Sequence, residues 1–268
     1  KIIATRGYRQ DRRDMYSLMF AGFAVAQLAL FVWLLRLTRT HHLAAGYVLL
    51  VPQFFLIWDN TRVALGILIG FGDFLHAITW PAFWAHWLSG CWLIIASGSI
   101  LRLAGISWAE HRWVMGAFCL LATALIAHDL PLFWTKEIYP VCEYDLIRYA
   151  GSVSESTRCT PDQALVSNTF PIAPVVTCFV VILSGLVMWR KRGIPWMTIG
   201  GIVMLLTAAV PALNRHRLDN LGEVFIQGGA IVTLWLLTRR ASPQAQANPT
   251  PRDPPPESAQ QAKASPAG

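Results

Sequence analysis

Acidic side chains stand inside long apolar stretches of this sequence. Asp59 interrupts one stretch, Asp129 ends another, and Glu223 lies near the start of the last one. A charge at membrane depth costs about 2.5–3.5 kcal/mol or more on insertion scales, so each of these residues requires a partner or a function. A carboxyl group in apolar surroundings can keep a proton and pass it to a substrate, which is the chemistry of a general acid. We therefore predict Asp59, Glu223 and Asp129 as catalytic carboxylates.

Other polar side chains accompany these acids at helical spacing. Glu223 and Gln227 are four residues apart and share one helix face. Asp59 and Arg62 are three apart and can form a pair within one helix. We predict a substrate-binding role for the polar and aromatic neighbours of the acids, namely Trp58, Asn60, Arg62, Trp84, His86, His128 and Gln227.

Each of these residues also has an interpretation without chemistry. Asp59 and Arg62 can simply neutralise each other and fix helix packing. The polar residues of the segment 128–131 can instead compensate locally for the backbone hydrogen bond that Pro131 removes. Glu223 suits the positive end of its helix, and His86 can donate a hydrogen bond between helices. Both interpretations remain open at the level of sequence.

Tryptophan is abundant, with 12 residues in the chain. Trp80, Trp84 and Trp87 are spaced by four and three, which places them on one face of a helix. Trp58 adjoins Asp59 in sequence. Aromatic faces beside a buried carboxylate can stabilise a cationic species. The alternative is that these rings only pack between helices or face lipid.

The elements that position these residues are apolar helices. The chain is 54% hydrophobic and 14% charged, whereas soluble domains carry about 25% charged residues. Apolar runs of the length that crosses a bilayer predict an all-α, polytopic transmembrane helix bundle of about seven spans within residues 1–240. The second run is predicted as one helix, which Pro52 and Gly66 kink without ending it. The predicted spans are 16–35, 43–70, 80–104, 113–134, 171–189, 194–213 and 221–237.

The basic residues lie in short clusters between the apolar runs. Although the net charge is +7, this spacing lacks the single basic surface of a nucleic-acid-binding protein, and we predict no nucleic-acid partner. Loops one, three and five are basic, which favours a cytoplasmic C-terminus; the basic N-terminal segment and Arg215 and Arg217 favour the opposite. Residues 241–268, rich in Pro, Ala, Gln and Ser, are predicted to form a disordered tail.

The cysteines fall into two groups. Cys91, Cys119 and Cys178 lie within apolar spans and are expected to be small core residues. Cys142 and Cys159 lie in the long fourth loop, which the predicted orientation places outside, where a disulfide can persist. The two are predicted either to form that bond or to remain free thiols.

The predicted orientation also places the polar residues at a similar depth. Glu223 begins a helix that starts outside, Asp129 ends a helix that finishes outside, and His86 follows the outer start of the third span. Asp59 lies near mid-depth. We therefore expect a polar cavity in the outer half of the bundle.

This layout resembles the membrane-embedded terpene cyclases of meroterpenoid pathways, which have about seven spans and depend on an early and a late carboxylate. Trp58-Asp59-Asn60 and Glu223 occupy comparable places. A second resemblance is to uncharacterised multi-pass membrane proteins with an Asp-Asn motif in an early helix. It is carried by Asp59-Asn60, Ala64-Leu65-Gly66, Trp80-Pro81, Phe83-Trp84 and His86.

Three functions follow as hypotheses. The first is an intramembrane enzyme that acts on an isoprenoid or lipid-like substrate by acid-initiated chemistry, as the cyclase resemblance implies. The second is a proton- or cation-coupled transporter or a non-enzymatic lipid-binding membrane protein. The third is a b-type haem protein with His86 and His128 as axial ligands. The sequence contains no nucleotide or zinc motif, so the first two hypotheses predict no cofactor and no metal; the oligomeric state is left open.

Overall fold

The computed structural model describes residues 16–167, 170–210, 213 and 218–247. Helices account for most of this part of the chain, so the predicted all-α class is confirmed, with one unpredicted β-hairpin. The elements are α1 (Tyr16–His41), α2 (Ala44–Ile69), α3 (Asp73–Gly90), α4 (Trp92–Leu103), a 3₁₀ turn (Ser107–Glu110), α5 (Arg112–Asp129), α6 (Leu132–Thr135), β1 (Tyr139–Glu143), β2 (Leu146–Ala150), α7 (Ile172–Arg192), α8 (Trp196–Ala209) and α9 (Asp219–Ala247).

Several helices have the length and composition of membrane spans. In the described part of the chain, four stretches are long and apolar enough to cross a bilayer: Tyr16–His41, Asp73–Leu103, Ile172–Arg192 and Asp219–Arg240. Trp196–Ala209 is a shorter apolar helix. These stretches are compatible with a membrane protein. Helix α9 continues to Ala247, and the remainder of the predicted tail lies outside the described residues.

The helix of the third predicted span begins before residue 80, where the prediction placed its start. Helix α3 starts at Asp73 and a separate helix, α4, starts at Trp92, with Cys91 between them. An acidic residue in the first turn suits the positive end of the helix, which explains why Asp73 begins α3 although it is charged. His86 therefore lies in the last turns of α3.

Helix α2 is continuous through Pro52, as predicted, and its Gly66 serves a close contact. A Cβ atom at position 66 would overlap the backbone carbonyl oxygen of Ile147 in β2. The absence of a side chain thus lets the hairpin approach the C-terminal part of α2. This contact places strand β2 beside the helix that carries Asp59.

Gly66→Ala should therefore displace the hairpin and lower the stability of the protein. The clash is with backbone, which cannot rotate away, so overpacking of about 1–3 kcal/mol is expected. Thermal unfolding in detergent measures the loss. Gly22→Ala in α1 is the matched control, because a Cβ there meets nothing within 4 Å. Equal unfolding temperatures of the two variants would contradict this packing.

The hairpin belongs to the long fourth loop and is held by covalent and polar contacts. Strands β1 and β2 pair antiparallel, with Val141 opposite Arg148. Cys142 and Cys159 form a disulfide, so the first of the two predicted alternatives is confirmed. The Asp145 carboxylate accepts hydrogen bonds from the backbone N–H groups of Tyr16 and Ser17, each at 3.0 Å. The loop is therefore anchored to the start of α1.

The main hydrophobic core lies between the helices that carry the candidate site. It includes the fully buried Leu34 of α1, Leu49 of α2, Ile100 of α4, Met188 of α7 and Ile231 of α9. Because these side chains come from five helices, burying them fixes the positions of α2 and α9 relative to each other. The polar residues of α2 and α9 are thereby brought together.

Candidate functional site

His86 bridges two carboxylates from different helices. Its Nδ1 atom lies 3.4 Å from Oδ2 of Asp59 in α2. Its Nε2 atom lies 3.1 Å from Oε1 of Glu223 in α9. Three residues predicted from sequence, separated by up to 164 positions in the chain (59 to 223), thus form one acid–base cluster between α2, α3 and α9.

Arg62 pairs with the Asp59 side of this cluster. Its Nη2 and Nε atoms lie 2.5 Å and 3.0 Å from Oδ1 of Asp59, as the three-residue spacing predicted. Its Nη1 atom donates to Oγ1 of Thr79, at 3.4 Å. Asp59 therefore uses one oxygen for Arg62 and the other for His86, which combines charge neutralisation with orientation of the imidazole.

Asn220 connects the other end of the cluster to α2. Its Nδ2 atom donates to Oδ1 of Asn60 at 3.2 Å and to Oε2 of Glu223 at 3.4 Å. Asn60 in turn donates to the carbonyl oxygen of Leu56, at 2.8 Å. The predicted residue Asn60 thus positions Glu223 through Asn220 and does not line the cavity described below.

The bridge can hold a proton in more than one place. A neutral imidazole has one N–H, so one of its two carboxylate contacts then requires a proton on the carboxyl group; an imidazolium donates to both. Asp59 is stabilised as an anion by Arg62, whereas Glu223 has no cation of this kind beyond His86 among its described contacts. Glu223 is therefore the carboxyl group better suited to exchange a proton with the ring.

The cluster opens onto a cavity of about 390 Å³. This volume lies in the range of small-molecule binding sites, about 300–1,000 Å³. Asp59, Arg62, His86, Glu223 and Gln227 all line it. Apolar side chains also line it, including Pro52, Leu56, Leu93, Cys178, Met204 and Ile226. The cavity is therefore suited to a molecule that has both an apolar part and polar groups.

Helix α9 presents a row of acceptors to this cavity. Asp219, Glu223 and Gln227 are spaced by four residues and all line it. The Oδ1 atom of Asp219 and the Oε1 atom of Gln227 are buried without a hydrogen-bond partner in the described part of the protein. A buried acceptor atom without a hydrogen bond costs about 1–3 kcal/mol. Both atoms therefore favour a ligand, or water, that donates a hydrogen bond.

The long loop forms a further wall of the cavity, which the sequence did not predict. Lys136 and Arg148 line the cavity, and the Lys136 ammonium lies 5.1 Å from the centre of the Trp87 ring. Burial lowers the pKa of Lys136, and the nearby Asp129 carboxylate opposes that shift. Nothing in the loop sequence marks these two cations, since other loops also carry lysines and arginines.

The aromatic residues that line the cavity are not the two predicted from sequence. Phe83 and Trp87 line the cavity, while the predicted Trp84 lies behind them, 2% exposed and stacked on Trp87 with ring centres 5.3 Å apart. The predicted Trp58 packs with two phenylalanines of α2 and does not line the cavity. Trp87 could have been found from its helical spacing with Trp84.

Asp129 and His128 form a pair outside the cavity. The Nδ1 atom of His128 lies 2.8 Å from Oδ1 of Asp129 at the end of α5. The Asp129 carboxylate is buried, and the His128 side chain is 56% exposed. Neither residue lines the cavity. The structure thus groups Asp59, Glu223 and His86 and leaves Asp129 and His128 in a local contact.

The described residues contain no group of three or more His, Cys, Asp or Glu side chains arranged to hold a metal ion. His86 and His128 do not share a cavity, so the described residues do not support the haem arrangement. Comparison of the chain with family models, with curated proteins and with solved structures found no match.

Proposed function

We propose that this protein is an intramembrane enzyme that transfers protons to and from a lipid-like substrate, with Glu223, His86 and Asp59 as its acid–base group. The observation that carries the proposal is the histidine bridge between two carboxylates on the wall of a cavity that apolar side chains also line. Ionisable residues inside membrane helices are rare and mark substrate or ion pathways and proton relays. In this scheme Arg62 stabilises the negative charge of Asp59, and the Asp59 carboxylate orients the His86 ring.

The reaction would begin with a proton from Glu223, supplied through His86, to a carbon–carbon double bond of the substrate. The resulting carbocation would rearrange or close a ring beside the faces of Phe83 and Trp87. Loss of a proton from a neighbouring carbon to the same acid–base group would restore the enzyme. Atoms and charge balance without an oxidant or reductant, so the class of reaction is isomerisation or cyclisation. The resemblance to membrane-embedded terpene cyclases supports this chemistry.

The substrate would be an isoprenoid or similar lipid with a hydrogen-bond donor. The apolar lining suits the hydrocarbon part. A hydroxyl group could donate to the unpartnered oxygen of Gln227, which fixes the chain relative to Glu223. No cofactor enters this mechanism, because proton transfer requires only the side chains named here.

The proposed arrangement in the membrane has seven spans, formed by α1, α2, the α3–α4 stretch, α5, α7, α8 and α9. It is multi-pass with the C-terminus in the cytoplasm. The Cys142–Cys159 disulfide supports this orientation, because the loop that contains it would then face an oxidising compartment. The acid–base cluster would lie in the outer half of the bilayer, near the start of α9.

Bound lipid tests this proposal. Protein purified from its native membrane should carry an isoprenoid or related lipid, which extraction and mass spectrometry would identify. Gly90 lines the cavity and a Cβ there meets nothing within 4 Å, so Gly90→Phe should fill the cavity and abolish co-purification. Gly22→Phe, at an equally open position on α1, is the matched control and should retain the lipid. Identical lipid content in all three proteins would reject the site.

A proton-coupled transporter is the second candidate. The observation that favours it is that the cluster joins three helices, so a change in its protonation alters contacts between α2, α3 and α9. This candidate requires pH-dependent movement of the bound molecule and no product. Product formation by purified protein separates the two functions.

A further inference from the structure

A second cavity, of about 270 Å³, lies between the C-terminal ends of the α1 span and the α9 span. The basic residues that line it are Arg36, His41 and Arg239. The rings of Trp33 and Trp235 also line it. No carboxylate of the described residues lines this cavity, whereas Asp59, Asp219 and Glu223 line the cavity around His86. Its walls therefore carry net positive charge.

Aromatic rings hold one of these cations in place. The rings of Trp33 and Trp235 meet edge to face, with centres 5.9 Å apart. The Arg239 guanidinium lies 4.1 Å from the centre of the Trp235 ring, within the range of a cation–π contact. Neither Arg36 nor Arg239 forms an ion pair with a carboxylate in the part of the chain that the structure describes. The positive charge is thus positioned but not neutralised there.

An apolar strip on α1 leads to this cavity. Leu28 and Val32 are 49% and 38% exposed. They precede Arg36 at intervals of four residues, so all three lie on one face of the helix. Apolar surface that ends at a cation and two tryptophans is the arrangement expected where a helix passes from hydrocarbon into the headgroup layer.

This site is separate from the acid–base cluster. Arg239 follows Glu223 by 16 residues in one helix. At a rise of about 1.5 Å per residue, the two lie about 24 Å apart along the axis. The second cavity is therefore at the opposite end of α9, and its role is independent of the proposed reaction.

We propose that this cavity binds the phosphate-bearing headgroup of an anionic phospholipid, with an acyl chain along Leu28 and Val32. Basic pockets between membrane helices recognise such headgroups. Guanidinium groups suit a phosphate because their planar fork donates two parallel hydrogen bonds. The ligand is a lipid and not free phosphate, since the apolar strip continues directly from the basic lining.

Lipid retention by the full-length protein tests this proposal. The protein would be placed in phosphatidylcholine nanodiscs containing a minor fraction of phosphatidylglycerol, and its retained lipids counted by native mass spectrometry. A basic residue near the membrane surface contributes about fivefold to anionic-lipid binding, so Arg36→Gln with Arg239→Gln should weaken the preference for phosphatidylglycerol about 25-fold. The control pair Arg102→Gln with Arg112→Gln removes equal charge away from this cavity and should keep the preference.

Three results would overturn the proposal: no preference in the unaltered protein, an equal loss in the control pair, or full displacement by inorganic phosphate at the lipid's concentration. The last result would identify a free-phosphate site. If the glutamine pair does not fold, the lysine pair Arg36→Lys with Arg239→Lys serves in its place. Lysine keeps the positive charge but lacks the planar guanidinium group that donates two parallel hydrogen bonds. We therefore expect an intermediate preference for phosphatidylglycerol. A preference equal to that of the unaltered protein would contradict recognition by guanidinium.

Discussion

Glu223→Gln should lower turnover of the lipid-like substrate by about 10²- to 10⁴-fold, the usual contribution of a positioned general acid or base. The amide keeps the shape of the side chain and can still contact Nε2 of His86, 3.1 Å from the carboxylate oxygen it replaces. It cannot exchange a proton at neutral pH. Product formation by purified variant and unaltered protein, measured by chromatography and mass spectrometry, gives the ratio.

Two further variants show whether this loss is specific. Glu110→Gln removes an exposed acid of the 3₁₀ turn and should leave turnover unchanged. Asp129→Asn removes a buried acid that the structure places outside the cavity, so it should retain most of the activity. A loss in Asp129→Asn as large as that in Glu223→Gln would mean that the cavity beside His86 is not where the reaction takes place.

Asp59→Asn should destabilise the protein by about 3–5 kcal/mol, because it leaves Arg62 buried without its carboxylate. Arg62 is 5% exposed, and its other described partner is the hydroxyl group of Thr79, at 3.4 Å. Reversible unfolding in mixed detergent micelles measures the change. Arg62→Met should also destabilise the protein, because it leaves the buried Asp59 carboxylate with His86 as its remaining described ionisable partner.

The double variant Asp59→Asn with Arg62→Met separates structure from chemistry. Replacing both members of a buried ion pair is often nearly neutral for stability, so most of the unfolding free energy should return. Turnover should not return, because Asp59 also holds Nδ1 of His86, at 3.4 Å. Recovery of both stability and activity would favour the interpretation of Asp59 and Arg62 as a purely structural pair.

The sequence predicts the main members of this cluster because burying a charge is expensive. Asp59, Arg62 and Glu223 stand out on this ground, and the polar residues around them include His86 and Gln227. Asp129 stands out on the same ground, but the structure pairs it with the adjacent His128. The cost of burial shows that a charge needs a partner, but it does not distinguish a neighbour in sequence from a residue on another helix.

The wall of the cavity that the long loop forms could not be predicted in this way. Strands β1 and β2 are short, and the residue between them with positive φ is Tyr144, at 54°, whereas hairpin turns are usually marked by glycine or asparagine. Lys136 and Arg148 reach the cavity only through this loop. Asn220 is an ordinary polar residue in sequence, and its link between Asn60 and Glu223 depends on how α9 packs against α2.

Proton transfer to carbon is the central claim, and deuterium uptake tests it most directly. Unaltered protein incubated with its co-purified lipid in D₂O should incorporate deuterium at carbon, which mass spectrometry detects as product heavier by one mass unit per proton transferred. A rearranged or cyclised product that carries deuterium is the predicted result. A lipid that binds in the cavity and is recovered unchanged, without deuterium at carbon, would contradict the enzymatic account.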